Sequence, residues 1–146
     1  MPRIHSIHIA PGRRLPVKSV DSVVAEAGKG LVGDRYHGTR HRHVTVQSLA
    51  SLQEAAESFG SPIEPGMTRR NLTLTDGEVP REPDARIRIG EVLLEVVRVA
   101  APCKLLDDGI GRGAQEALRR RAGSVCRVLE SGTISVGDEV LISAPG

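Results

Sequence analysis

Residues Val92 to Val99 read V-L-L-E-V-V-R-V, and apolar side chains fall on both alternating faces of this run. A strand of that kind must be covered on both sides over much of its length, so it belongs in the interior of a layered or curved sheet. Pro102 follows three residues later and can neither extend a ladder nor donate a hydrogen bond, so the strand must end at or just before it. A cysteine stands immediately beyond, in Ala101-Pro102-Cys103-Lys104-Leu105. Lys104 favours the thiolate of Cys103, the form that acts as a nucleophile or a soft metal ligand. The competing reading is a buried structural thiol that packs as a small hydrophobe. Cys126, within Ser124-Val125-Cys126-Arg127-Val128-Leu129, has a strand pattern and is expected to be buried and inert, whereas Cys103 is expected to be accessible.

The rest of the chain reads as many short strands with two helices. Strands are predicted over Ile4 to Ala10, Ser19 to Glu26, Val44 to Val46, Asn71 to Thr75, Arg86 to Ile89, Val125 to Leu129 and Thr133 to Ile142. Glycines such as Gly38, Gly66, Gly77, Gly90, Gly132 and Gly137 separate them. Leu49, Leu52, Ala55, Ala56 and Phe59 recur at helical spacing, with Ser48 placed to cap the start and Gly60 to stop the end. A second helix is predicted from Gly113 to Ala122, with Arg119, Arg120 and Arg121 in its last turn, where cations complement the helix dipole. The segment Val79 to Ala85, rich in proline and charge, is expected to be a mobile or exposed loop. This spacing favours a mainly β fold, a closed or partly closed β-barrel with two or three short peripheral helices, over an alternating parallel architecture.

A length of 146 residues suits one domain spanning residues 1–146. Two widely spaced cysteines offer neither a disulfide framework nor a paired metal ligand set, and no apolar run resembles a signal peptide or a membrane span, which points to a cytoplasmic protein without a membrane partner. Among the 20 cationic side chains only Lys18, Lys29 and Lys104 are lysines. The arginine excess offers rigid forks suited to phosphate or carboxylate. One Tyr, one Phe and no Trp leave no stacking platform, which disfavours a nucleic-acid partner.

Two segments concentrate polar chemistry. Gly30-Leu31-Val32-Gly33-Asp34-Arg35-Tyr36-His37-Gly38 is a glycine-bracketed loop that runs into Arg40-His41-Arg42-His43. It suits an anionic ligand held by backbone and guanidinium donors, or else a solvated loop in which Asp34 and Arg35 satisfy local backbone groups. It lacks the lysine and hydroxyl residue of a Walker loop. Gly66-Met67-Thr68-Arg69-Arg70-Asn71-Leu72 brings two arginines and an asparagine to a strand start. Alternation puts Arg70 and Leu72 on one face and Arg69, Asn71 and Thr73 on the other, so that one arginine can meet a phosphate in a cavity. An edge-strand arginine that discourages aggregation is the alternative. His37, His41, His43 and Cys103 invite a zinc reading, but no Cys-x-x-Cys or helical histidine pair supports it.

Taken in order, Gly-Leu-Val-Gly-Asp-Arg-Tyr-His from Gly30, Gly-Met-Thr-Arg-Arg-Asn-Leu from Gly66, Ile-Gly-Glu-Val from Ile89, Ala-Pro-Cys from Ala101 and Arg-Val-Leu-Glu-Ser-Gly-Thr-Ile-Ser-Val-Gly-Asp from Arg127 resemble the MOSC domain, the C-terminal module of molybdenum cofactor sulfurases and a small stand-alone bacterial protein. The resemblance implies a barrel related to that of pyruvate kinase, with Cys103 as a molybdenum ligand or a persulfide carrier. It implies the pterin dithiolene form of molybdenum as cofactor, with Arg35, His37, Arg70, Asn71 and Lys104 around the cofactor or its substrate. The activity implied is reduction of N-hydroxylated small molecules with electrons from a separate redox partner. The alternatives are a sulfur carrier served by a cysteine desulfurase and a non-catalytic binding module. Pyridoxal phosphate is not expected, because Lys18, Lys29 and Lys104 have no recognisable Schiff-base context.

Overall fold

The structure, a computed structural model, describes residues 2–12, 15–102 and 105–145. In chain order the elements are β1 (Ile4–Ile9), β2 (Lys18–Val20), β3 (Ser22–Glu26), β4 (Gly30–Leu31), β5 (Val44–Ser48), α1 (Leu49–Phe59), a 3-10 turn (Pro65–Thr68), β6 (Leu72–Leu74), β7 (Arg86–Ile89), β8 (Val92–Val99), α2 (Leu105–Gly109), α3 (Ala114–Ala117), β9 (Ser124–Glu130), β10 (Gly132–Ser135) and β11 (Leu141–Ser143). The protein is mainly β, and the larger sheet has the order β11-β7-β8-β9-β5-β6-β1-β2. It is mixed, because β5 and β6 run parallel while the other pairs are antiparallel. Parallel neighbours need a crossover, and α1 with the 3-10 turn supplies it. A smaller sheet, β10-β3-β4, packs its Val23, Ala25, Leu31 and Ile134 into the same apolar core as Ile7, Val46, Leu72 and Leu94.

Of the expected closed or partly closed barrel, the closed form is not found: both sheets are open, with β11 and β2 at the edges of the larger one. Two strands that look continuous in sequence are each split. The segment Ser19 to Glu26 breaks at Asp21, so β2 joins β1 while β3 joins β10. Thr133 to Ile142 breaks at a turn in which Gly137 adopts φ 93° and Ser135 N–H donates to the Asp138 carboxylate, so β10 pairs with β3 and β11 with β7. Hydrogen bonds tie this turn to the start of β1: Ile4 N–H to Asp138 O at 2.9 Å, Gly137 N–H to Ile4 O at 2.8 Å and Val140 N–H to Pro2 O at 2.9 Å, beside an ion pair between Arg3 and Glu139 at 3.1 Å.

The helices form a second apolar cluster. Leu52 and Ala55 of α1 pack with Ile63, Leu106, Ala114 and Leu118, and Phe59 and Ile110 flank them. The α1 boundaries follow the sequence: Ser48 Oγ accepts from Ser51 N–H at 3.2 Å, and Gly60 takes φ 91° while its N–H reaches Ala56 O. The second expected helix is cut short at Ala117, because Arg121 N–H turns back to Leu118 O and Arg120 adopts φ 65°. Gly123 explains the turn. A Cβ there would sit 1.9 Å from Val46 O, so the chain must pass β5 at a glycine. In the loop Val79 to Ala85, residues 81–84 are exposed as expected, whereas Val79 and Ala85 are buried and Pro80 O accepts from the Ser124 hydroxyl.

Strand β5 is buried along its whole length although it reads V-T-V-Q-S. Val44 and Val46 enter the main core, while the alternate residues Thr45 and Gln47 face a polar layer. Gln47 is fully buried, with its amide donating to Thr73 Oγ1 at 2.9 Å and its carbonyl accepting from Thr68 Oγ1 at 2.7 Å. Thr45 and Thr68 of this layer also line a cavity.

Candidate functional site

A cavity of about 450 Å³ opens where the ends of β1, β5 and the 3-10 turn meet the loop after β4 and the segment that leads into α2. Its lining includes Asp34, Arg35, Tyr36 and Arg42 from the loop, Thr45 from β5, Thr68, Arg69, Arg70 and Asn71 before β6, and Ala101, Leu106 and Asp108. Four guanidinium groups therefore share the cavity with two carboxylates.

Asp34 holds the loop in place. Its Oδ1 accepts from Ala10 N–H at 2.9 Å and from Asn71 Nδ2 at 3.2 Å, and its Oδ2 lies 3.3 Å from Tyr36 N–H. It is buried, and these bonds replace the water it loses. Arg35 N–H donates to Ala10 O, which straps the loop to the end of β1. Gly30, at φ 118°, lets the chain pass His43, whose Cα, Cβ and carbonyl oxygen would each lie 3.2 Å from an added Cβ. The close backbone approach at this glycine thus serves the fold.

Tyr36 organises two arginines. The guanidinium carbons of Arg35 and Arg42 lie 4.4 and 4.3 Å from its ring centroid, and Arg35 Nη2 also donates to its hydroxyl. Stacking restricts both side chains before any ligand arrives. On the opposite wall, Arg69 takes φ 62° at the end of the 3-10 turn and reaches Gly12 O at 3.4 Å. This left-handed residue breaks the expected alternation, so Arg69, Arg70 and Asn71 all line the cavity. Arg70 is buried and donates from Nη2 to Ala101 O at 3.1 Å, linking the arginine wall to the segment after β8.

Of the residues singled out in the sequence, Arg35, Arg70 and Asn71 come together here. The polar atoms of Asn71 are engaged within the protein: Oδ1 accepts from Thr45 N–H, and Nδ2 donates to His8 O at 3.0 Å as well as to Asp34. His37 is not part of the lining; its Nε2 lies 3.3 Å from Glu26 Oε1. Cys103 and Lys104 lie outside the described residues, while Ala101 and Leu106 on either side of them line the cavity. Tyr36, Arg42, Thr45, Thr68 and Asp108 are site residues that the sequence reading did not assign. Polar residues alternating with valine or leucine, as in V-T-V-Q and L-T-L, were the available signal for Thr45 and its neighbours.

His43 is a structural histidine. Its Nδ1 accepts from Val128 N–H at 2.9 Å, which places the proton on Nε2, where it is donated to Thr39 O at 2.7 Å. Burial holds its pKa below the usual value, with the hydrogen bond to Thr39 opposing and nearby Arg127 adding to the shift. Among the described residues, no group of three or more His, Cys, Asp or Glu could hold a metal ion. Cys126 is fully buried, and burial pushes its thiol up to about 12, in line with the inert role expected for it. No helix among the described residues is long and apolar enough to cross a membrane.

The fold has close counterparts among solved structures. The YuaD protein from Bacillus subtilis superposes with a TM-score of 0.88 at 20% identity, covering 99% of this chain and 97% of that one. YiiM from Geobacillus stearothermophilus gives 0.76 at 17% identity, over 99% of this chain and 76% of its own, and YiiM from Escherichia coli gives 0.71 at 18%, over 98% and 68%. No curated protein matches the sequence. The MOSC domain family model matches residues 33–141, which takes in the Asp34 to Tyr36 loop, the arginine wall and the segment that bounds the cavity at Ala101, and so the chain belongs to the MOSC domain family.

Proposed function

We propose that the arginine-lined cavity holds a molybdenum cofactor and that Cys103 supplies the protein ligand to the metal. The observation that carries this reading is the convergence of Arg35, Arg42, Arg69 and Arg70, from separate segments, on one cavity. A pterin cofactor carries a phosphate, and guanidinium forks bind phosphate through paired, charge-assisted hydrogen bonds. Stacking of Arg35 and Arg42 on Tyr36 fits them to that task in advance. A single thiolate suits the metal because the dithiolene supplies further soft sulfur ligands, so no protein cluster of several ligands is needed. When bound, the group would supply two-electron redox chemistry, and this chain's residues would hold its phosphate and position the substrate.

On this reading the protein reduces N-hydroxylated small molecules with electrons from an external donor. The test is co-expression with a complete molybdenum cofactor pathway, followed by metal and pterin quantification and an assay of N-hydroxylated base reduction with a supplied electron donor. Wild-type protein should carry molybdenum and pterin together and turn over the substrate. Cys103→Ser should lose the metal, because a hydroxyl is a harder and far less acidic ligand, and Arg70→Ala should lose pterin retention. Wild-type protein free of both would overturn the reading, and persulfide transfer from Cys103 without molybdenum would identify a sulfur carrier instead.

A further inference from the structure

Arg119, Arg120 and Arg121 take no part in the site above. Along a helix, consecutive residues splay by about 100° and would point in three directions. Here α3 has already ended, and the turn closed by Arg121 N–H on Leu118 O, with Arg120 in the left-handed region at φ 65°, gathers all three on one side. Side-chain-bearing residues seldom adopt that conformation. Arg81, from the connection between β6 and β7, meets them across a second cavity of about 410 Å³, whose wall also includes the first turn of α1.

Two carboxylates share this cavity, Glu54 and Glu78. Glu54 is committed to Arg121, with Nε and Oε2 3.6 Å apart, and Arg121 is further fixed by Nη1 bonds to Glu54 O and Ala117 O. Arg119 lies 3.9 Å from Glu116 outside the cavity. Among the described residues, Arg81, Arg120 and Glu78 make no ion pair. Two guanidinium groups from separate segments thus face one cavity without an ion-pair partner, against the single unpaired carboxylate of Glu78.

We propose that this second cavity binds the phosphate group of a small phosphorylated sugar or polyol, through Arg81 and Arg120, with Arg121 as a fixed wall. A dianion matches two uncommitted guanidinium forks better than a single carboxylate does. The cavity exceeds the size of a phosphate ion, and no aromatic ring lines it, so a polar carrier is favoured over a nucleobase. Glu78 accepts hydroxyl groups and repels a second phosphate, which selects a monophosphate with hydroxyls beside it.

The test is an amide chemical-shift titration of the full chain at constant ionic strength, with glucose 6-phosphate, inorganic phosphate and glucose as probes. Glucose 6-phosphate should shift the amides of residues 50–54, 77–81 and 119–121, bind more tightly than inorganic phosphate, and outdo glucose, which should shift none. Combining Arg81→Ala with Arg120→Gly should weaken it at least about tenfold, whereas Arg69→Ala in the first cavity should leave it within about twofold. Glycine suits the backbone at position 120, and Arg81→Ala alone should cost at least about threefold should the double variant fail to fold. Shifts confined to the first cavity, or affinity unchanged in Arg81→Ala, would overturn the proposal; inorganic phosphate binding as tightly as the sugar phosphate would overturn the assigned class.

Discussion

Asn71 and Thr45 exchange backbone and side-chain bonds in both directions: Asn71 N–H donates to Thr45 Oγ1 at 2.9 Å, while Thr45 N–H and its hydroxyl both donate to Asn71 Oδ1, at 2.9 and 3.1 Å. The pair closes the ladder just before β6 joins β5, and Nδ2 carries the connection on to His8 and Asp34. Asn71→Ala should therefore destabilise the protein by about 3 kcal/mol, the order expected when several buried polar groups lose their partner. Asn71→Asp should be worse at neutral pH, since it sets a second carboxylate oxygen against Asp34 and His8 O. Denaturant unfolding checks both, and a loss below about 1 kcal/mol in either variant would contradict the assigned role.

Gly123→Ala should prevent stable folding. The added Cβ would overlap Val46 O, a backbone atom of a central strand, and the φ of 87° is itself unfavourable for alanine. A cost above about 3 kcal/mol is expected from the overlap and the strain together. Soluble expression with a wild-type melting temperature would contradict this.

Tyr36→Phe and Tyr36→Leu should separate. Phenylalanine keeps the ring on which Arg35 and Arg42 stack, so inorganic phosphate should still bind in the first cavity within about threefold of wild type. Leucine removes the stacking and should weaken binding about tenfold, the scale of one or two cation–π contacts. The amide shifts of residues 34–36 and 69–71 report the titration, and equal affinities in the two variants would exclude the ring as an organiser.

The two cysteines should differ under native alkylation. With its thiol pushed up to about 12 and its side chain fully buried, Cys126 should stay unmodified at pH 8 while Cys103 reacts. Peptide mass mapping decides it, and labelling of Cys126 first would reverse the roles.

His43 and His8 should make the protein less stable in mild acid. Burial lowers both pKa values from about 6.5, so below that pH the unfolded chain binds more protons than the native one and stability rises with pH through the window. The denaturant midpoint should be lower at pH 5 than at pH 7, and nitrogen chemical shifts should show His43 neutral at pH 6.5. A His43 ring that titrates at or above the ordinary value would refute the cause.

The parts of the fold set by near neighbours could be read directly. Ser48, Gly60 and the leucine spacing between them define α1, and β7 and β8 begin and end where their patterns do. The split of Thr133 to Ile142 between two sheets is hinted at by Gly137, but Val136 and Val140 continue the apolar pattern on either side of it, and the assignment of the halves to different sheets depends on their partner strands, β3 and β7. The same holds for the site. Arg35, Arg70 and Asn71 stand out as residue types in suggestive segments, but Thr45 and Arg42 become site residues only through the register of β5 against β6 and β9. His37 shows the converse: it lies two residues from Arg35 in a polar loop, yet the local turn sends it to Glu26.

The parallel pairing of β5 with β6 ties the formation of the cavity to the completion of the whole domain. Ala10, the loop through Arg42, the arginine wall and the segment into α2 are joined by contacts between residues far apart in sequence, and such contacts form late and slowly. No short fragment of the chain contains a binding-competent half of this cavity. Whatever occupies it binds the native state alone, so its presence in the cell would raise the protein's resistance to heat and proteolysis as a whole.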